Sequence, residues 1–386
     1  MTAGAPPPAA TAEAQARGPA PAPTTGARPD ARLDAIDWLR GLAVVLMIQT
    51  HLYDSWLGPS ARATDAFWWT RFLGGIPARL FLFLVGVSMA IRFEGQLRKG
   101  IDRATMCRGV VRRGTEILGL AYLFRLQEFA LGGFGGNWRD LFRIDILNCI
   151  GASMIVTPAL AAPRGGRPRY LACLLGAAFF LGLGPLVGPA HFPDWLPRPL
   201  TSYLGGERPM AWFPLFPWAA WSLVGVAVGH WWVRASADPR RQRRAYLLSA
   251  IGGAAMTGAV ILIRRIDPYV IRYPSELVQQ MGPGSFFYRL GLLGPLALLG
   301  YGVTRVLRGR FSVMRQFGRT SLLVYWIHVD LCYGLVSKPL HHRLTFGWAT
   351  LGLVAMVVLM LAISLLKTRY WKGWRGQRQR RPAMAG

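Results

Sequence analysis

Ten apolar segments recur along the chain, at about 36–57, 74–92, 111–131, 145–162, 170–188, 211–232, 246–263, 286–304, 320–337 and 345–366. Each is close to the roughly 20 residues a helix needs to cross a bilayer core. In hydrocarbon every backbone N–H and C=O has to be satisfied within the protein, which leaves helices or closed barrels. Runs of this length predict helices, so the expected fold class is all-α: a polytopic membrane helix bundle of about ten transmembrane helices. The third segment is interrupted by Glu116, Arg125 and Glu128. With 52% hydrophobic and 16% charged residues, the composition excludes an ordinary soluble enzyme.

The net charge of +27 invites a nucleic-acid reading, but the basic residues sit in short loops and no polar domain collects them, so no nucleic acid is expected. They alternate instead. If the N-terminus is cytoplasmic, 30 Lys and Arg fall in inward segments and 13 in outward ones, with Arg40 and Arg289 inside helices. That bias follows the positive-inside rule and predicts both termini cytoplasmic, in a multi-pass membrane protein. Residues 1–31, rich in Ala, Pro, Gly and Thr, are expected to be a disordered cytoplasmic tail, 32–367 the transmembrane domain, and 368–386 a basic cytoplasmic tail. No apolar run precedes residue 36, so the first span is expected to act as its own insertion signal. The four cysteines lie far apart with no metal-ligand spacing; they read as apolar fillers, and no metal is expected.

The first span carries chemistry. At roughly 100° per residue, the eleven steps from Arg40 to His51 return both side chains to within some 20° of one face, about 16 Å apart in rise. Asp37 and Asp54 are each three residues from one of them, so one stripe runs Asp37, Arg40, Met47, His51, Asp54. Ionisable groups inside a span are costly and mark sites by default. The plain alternative is two interfacial anchors and a histidine bonded to a neighbouring helix.

Arg40-Gly-Leu-Ala, with a histidine eleven residues after the arginine, resembles the first-helix signature of the acyltransferase-three superfamily of membrane acyltransferases. The preceding Asp34-Ala-Ile-Asp-Trp-Leu is similar to the bacterial relatives of heparan-alpha-glucosaminide N-acetyltransferase. The resemblance implies that His51 is catalytic. Ile76 to Ala90 resembles the Phe-rich second helix of the superfamily; Arg79 is outside that pattern and reads either as an interfacial snorkeller or as an acceptor contact. Asp145-Ile-Leu-Asn-Cys-Ile-Gly matches a block of the same relatives; Asp145 and Asn148 share a helical face and could bind a hydroxylated acceptor, or Asp145 could simply favour the helix dipole. Gly318-Arg-Thr-Ser, followed by Tyr325 and His328, resembles a late block in which a Gly-x-x-Ser turn opens a helix ending Tyr-x-x-His. Tyr325 and His328 are therefore further acceptor-side candidates.

Other stretches carry less. The basic loop from Arg92 to Arg113 reads as topogenic charge on lipid headgroups or as a landing site for donor phosphates, with Arg112 and Arg113 the donor-binding candidates. The 189–210 loop mixes aromatic and polar groups, a mixture that suits a sugar and is also common at interfaces. His230, beside Trp231 and Trp232, reads as interfacial, and the prolines around Trp212 predict an irregular start to the sixth span.

The resemblance implies an integral-membrane acyltransferase that takes an acyl group, acetyl first, from acyl-CoA as co-substrate. The group goes to a sugar hydroxyl or amine of a glycan or glycolipid. His51 would take the acceptor's proton or carry the acyl group itself, since imidazole titrates near neutral pH. Asp54, one turn on, would bond the other ring nitrogen; Asp37 and Arg40 would position the donor. Two other readings stand beside this one: a transporter, for which the matching broken helices of an internal repeat are missing from the sequence, and a non-catalytic subunit of a glycan assembly system.

Overall fold

The computed structural model describes residues 30–131, 137–162, 168–187, 192–193, 195–205, 210–266, 282–307 and 309–380, with backbone alone for 30–33, 168–169 and 371–380. The expected tail before residue 30, residues 189–191, 194 and 206–209 of the 189–210 loop, and residues 381–386 of the expected basic tail lie outside the described residues.

All ten apolar segments fall on helix. In chain order the helices are α1 (Asp30–Trp56), α2 (Pro59–Arg62), α3 (Asp65–Gly74), α4 (Pro77–Leu97) and α5 (Arg103–Leu131). There follow α6 (Ile146–Val156), α7 (Pro158–Ala161), α8 (Pro168–Val187), α9 (Arg198–Leu204) and α10 (Leu215–Ala235). The last are α11 (Pro239–Ile266), α12 (Pro283–Leu307), α13 (Val313–Arg319), α14 (Ser321–Tyr333) and α15 (Phe346–Arg380). Among the described residues there is no strand. Five stretches are long and apolar enough to cross a bilayer: 65–97, 170–187, 239–266, 283–307 and 346–370. The chain is an all-α membrane bundle.

Local sequence explains where the helices begin and end. Thr64 caps α3 by accepting from the Phe67 N–H at 3.4 Å. Asp102 opens α5, and hydrogen bonds from the Thr105 side chain and backbone hold its carboxyl below the usual carboxylate range. A capping box of Asp145 and Asn148 opens α6, and Pro158 separates α6 from α7 by starting a new helix. In α10 the backbone stays non-helical at Phe216, so the proline-bordered start is irregular as expected. The predicted boundary at 367 falls inside α15, which runs on to Arg380.

Between helices in lipid the gain comes from close packing rather than from leaving water, so small residues mark the tight seams. On α4 and α10, a Cβ on Gly86 or Gly225 would overlap the backbone of the opposite helix. The seam that positions the site is α1 against α13. A Cβ on Gly41 would overlap Met314, and one on Gly318 would overlap the Asp37 carbonyl. The Asp34–Arg315 ion pair, at 2.5 Å, closes the same end. With α13 held there, α14 continues beside α1 in the same direction: His51 meets His328, and one turn later Ser55 and Trp56 both donate to the Cys332 carbonyl, at 2.7 and 3.1 Å. On its far side α15 braces the pair, through Thr320–Ser364 at 2.5 Å and Tyr53–Thr350 at 2.8 Å.

Candidate active site

His51 and His328 meet ring to ring. The His51 Nδ1 to His328 Nε2 distance is 3.0 Å, and His328 Nδ1 lies 2.6 Å from the Val324 carbonyl oxygen. A carbonyl only accepts, so Nδ1 of neutral His328 carries the proton and its Nε2 holds a lone pair. His51 must then donate from Nδ1. One tautomer follows for the whole chain of bonds, and it leaves the His51 Nε2 lone pair free. His328 is fully buried, whereas His51 is partly exposed.

Aromatic side chains frame the two rings. Tyr333 stands edge-on to His51 with ring centroids 5.6 Å apart, and Tyr325 edge-on to His328 at 5.9 Å. Tyr325 in turn leans on Phe124 of α5 at 5.8 Å. Gln127, also on α5, donates to Asp330 at 2.6 Å and accepts from the Trp326 indole at 2.7 Å, which ties α5 to the face of α14 next to the histidines.

The predicted residues divide into those gathered at the relay and those used elsewhere. His328 joins His51 directly, and Tyr325 reaches the pair through the His328 ring. Asp54 does not bond the ring: it is exposed and its carboxylate accepts from Tyr333 at 3.0 Å, because His328 already occupies the nitrogen Asp54 was expected to take. Asp37 and Arg40 pair at 3.2 Å, and Arg40 also donates to Ser88 at 2.5 Å. Around them gather Asp34, Arg315 and Arg319, an ion cluster on the α1–α13 seam whose last three members the sequence stripe did not include.

Arg112 and Arg113 pair with Glu116 on the surface of α5, the first 85% and the second 49% exposed. Among the described residues no ion pair or hydrogen bond joins them to the ion cluster or to the histidines. Asp145 is held by Arg125, and Asn148 is buried with its amide on the Tyr203 hydroxyl at 3.3 Å. Both side chains are thus committed to the start of α6. Arg79 donates to the Gly75 carbonyl at 2.5 Å and lies over the Trp218 ring.

His230, read from the sequence as interfacial, is fully buried within the protein, and its Nδ1 meets Glu94 at 2.8 Å. A cavity of about 480 Å³ between α8, α10, α11 and α12 is lined by apolar side chains such as Leu174, Met256 and Leu290 and by no titratable group. Among the described residues no cluster of His, Cys, Asp and Glu could hold a metal ion.

The bundle thus holds a partly exposed imidazole bonded to a second, buried one. The sequence model of the heparan-alpha-glucosaminide N-acetyltransferase catalytic domain matches residues 32–262, more than half of the chain, and the protein belongs to that family of membrane acyltransferases. The match takes in His51 but ends before His328. No curated protein matches the sequence.

Proposed function

We propose that the protein transfers an acetyl group from acetyl-CoA to a hydroxyl or amine of an amino-sugar-containing glycan or glycolipid in the membrane. The family's name supports the acyl group and the class of acceptor. The free Nε2 of His51, fixed by the His328–Val324 relay, carries the reading. As the acceptor attacks the thioester carbonyl, its proton passes to that nitrogen; the C–S bond breaks and the proton then goes to the departing thiolate. Positive charge on His51 strengthens its Nδ1–H bond to His328, which the buried ring can accept only because Val324 holds its own proton. The same lone pair would serve if the acyl group rested on His51 before transfer.

The charge bias of the loops supports an orientation in which the Asp34–Asp37–Arg40–Arg315–Arg319 cluster is at the cytoplasmic mouth and His51 in the outer half. Acetyl-CoA would dock at that mouth, with Arg319, 57% exposed, best placed to meet a phosphate; Arg112 and Arg113 would be outlying basic residues of the same face. The thioester arm would span the roughly 16 Å of helix rise to His51, while the acceptor enters from the other leaflet past Tyr333 and Tyr325. The first-helix motif, Arg40-Gly-Leu-Ala with His51, supports a wider kinship with the acyltransferase-three superfamily and a bacterial inner-membrane location.

The test is His51→Ala in the full-length protein. Expression and monodispersity in detergent are kept, and acetyl transfer from labelled acetyl-CoA to glucosamine-containing glycans falls by about 10²- to 10⁴-fold. Transfer within a few-fold of the parent overturns the proposal.

A further inference from the structure

Two arginines stand together, with no carboxylate partner among the described residues, where α3, α4, α10 and α12 converge. Arg79 of α4 donates to the Gly75 carbonyl at 2.5 Å, and Arg289 of α12 donates to the Phe72 carbonyl at 2.8 Å. Gly75 lies between them: a Cβ there would overlap the Arg289 guanidinium. Neither makes an ion pair among the described residues, and both are partly buried. Each lies over an aromatic face at 5.0 Å, Arg79 over Trp218 and Arg289 over Phe72.

Two like charges held close together in a partly buried place repel each other and lose hydration, and among the described residues the fold supplies carbonyl oxygens and ring faces in return. A guanidinium has five N–H donors, and one on each arginine is used here. A third donor adds to the surplus. The indole Nε1–H of Trp218 is buried and has no partner. Donors in excess, fixed in planar forks with no acceptor, match the oxygens of a carboxylate or phosphate.

The place of this cluster says whose anion it is. The α3–α4 turn rests on α1 at the catalytic level: a Cβ on Gly74 would come within 2.7 Å of the Thr50 hydroxyl, next to His51 in the chain. Gln49, one residue further back, donates to the Thr70 carbonyl of α3 at 3.5 Å, and its buried Oε1 has no partner, an acceptor ready for a hydroxyl. We propose that Arg79, Arg289 and the Trp218 indole form a subsite for an anionic group, carboxylate or phosphate, borne by the acceptor sugar beside the position that is acylated. The subsite rests on the acyl-transfer reading for the identity of its ligand, and it adds a charge requirement that the reading does not contain.

Binding without acetyl-CoA tests it on the full-length protein. The probes are a glucuronosyl-glucosamine disaccharide, its carboxyl methyl ester, and glucosamine 1-phosphate, measured by equilibrium dialysis. The acidic disaccharide or the phosphate is expected to bind about tenfold to a hundredfold tighter than the ester, the range of charge-assisted hydrogen bonds. Arg79→Gln and Arg289→Gln should each erase most of that preference, and Arg79→Lys restore part of it. The comparison of acid with ester in the parent needs no variant, so a misfolded substitution cannot decide the result. Equal binding of acid and ester, a preference that survives both Gln variants, or no binding of any probe overturns the proposal. So does an anionic phospholipid retained through purification by the parent and lost from both variants, if the sugars show no charge preference: the subsite would then hold a lipid headgroup. Failure of acetyl transfer in the parent would count against the catalytic reading, and charge preference in binding is read independently of it.

Discussion

Two seams of this bundle bury a histidine, and they treat it in opposite ways. Between α4 and α10, His230 is fully buried and bonded to the Glu94 carboxylate. Between α1 and α14, His51 bonds a second imidazole, not an acid, and keeps one nitrogen free at a partly open position. A carboxylate beside a histidine is often taken as the mark of catalysis. Here the acid accompanies the fully buried histidine, and the partly exposed one is oriented by a neutral ring tied to a backbone carbonyl. The distinguishing feature is a lone pair that is both fixed and accessible.

The sharpest way to break this contrast is to remove the orienting ring. His328→Ala leaves His51 free to rotate and to change tautomer, and kcat should fall by about 10²- to 10⁴-fold, the scale seen when a catalytic base loses its orienting partner. His328→Gln can place a carbonyl oxygen opposite His51 Nδ1 and should recover part of the loss. Steady-state transfer of labelled acetyl reads both; equal activity of the Ala and Gln variants would remove the relay from the account.

Much of this arrangement was visible before any coordinates, and the parts that were not share one cause. Apolar run length exposed the helices because backbone satisfaction in lipid allows little else. Helical period put Arg40 and His51 on one face, and the Tyr-x-x-His block drew attention to Tyr325 and His328. Contacts between residues 277 or 136 positions apart, His51 to His328 and Glu94 to His230, leave no periodic trace in a single sequence. The two tryptophans after His230 suggest an interfacial residue and give no hint that it faces Glu94 of α4 across the close seam marked by Gly86 and Gly225. Asp54 was assigned to the ring by spacing alone, and spacing cannot register that a second histidine arrives first.

A pair of glycine substitutions sharpens the comparison at the next level of effect. Gly41→Ala pushes α13 from α1, and Gly225→Ala pushes α10 from α4, each by backbone overlap. Both should lower stability by about 1–3 kcal/mol, read as a reduced unfolding midpoint in detergent. Only Gly41→Ala should also reduce kcat, by up to about 10²-fold, since α13 sets the register of His328 and small misplacements of catalytic groups are costly. Matched losses of activity would mean that the relay does not depend on this seam. On the α4–α10 side, Glu94→Ala leaves the buried His230 without its acceptor and should destabilise the protein by about 1–3 kcal/mol with KM unchanged; Glu94→Gln, whose amide oxygen can accept from His230, should do less harm.

The smallest expected effect is at Asp54, and it tests the correction directly. Its carboxylate meets the Tyr333 hydroxyl at 3.0 Å in an exposed position. Exposed pairs of this kind are worth about 0–1 kcal/mol, so Asp54→Asn should change kcat by no more than about fivefold. Tyr333→Phe should match it, because each change removes the same bond. If the acid instead swings onto the His51 ring once substrate is bound, Asp54→Asn would cost orders of magnitude, as loss of the orienting carboxylate does in a serine-protease triad, and Tyr333→Phe would be neutral. The two single variants therefore separate a surface hydrogen bond from a catalytic carboxylate, and equal, small effects would leave His328 as the group that orients His51.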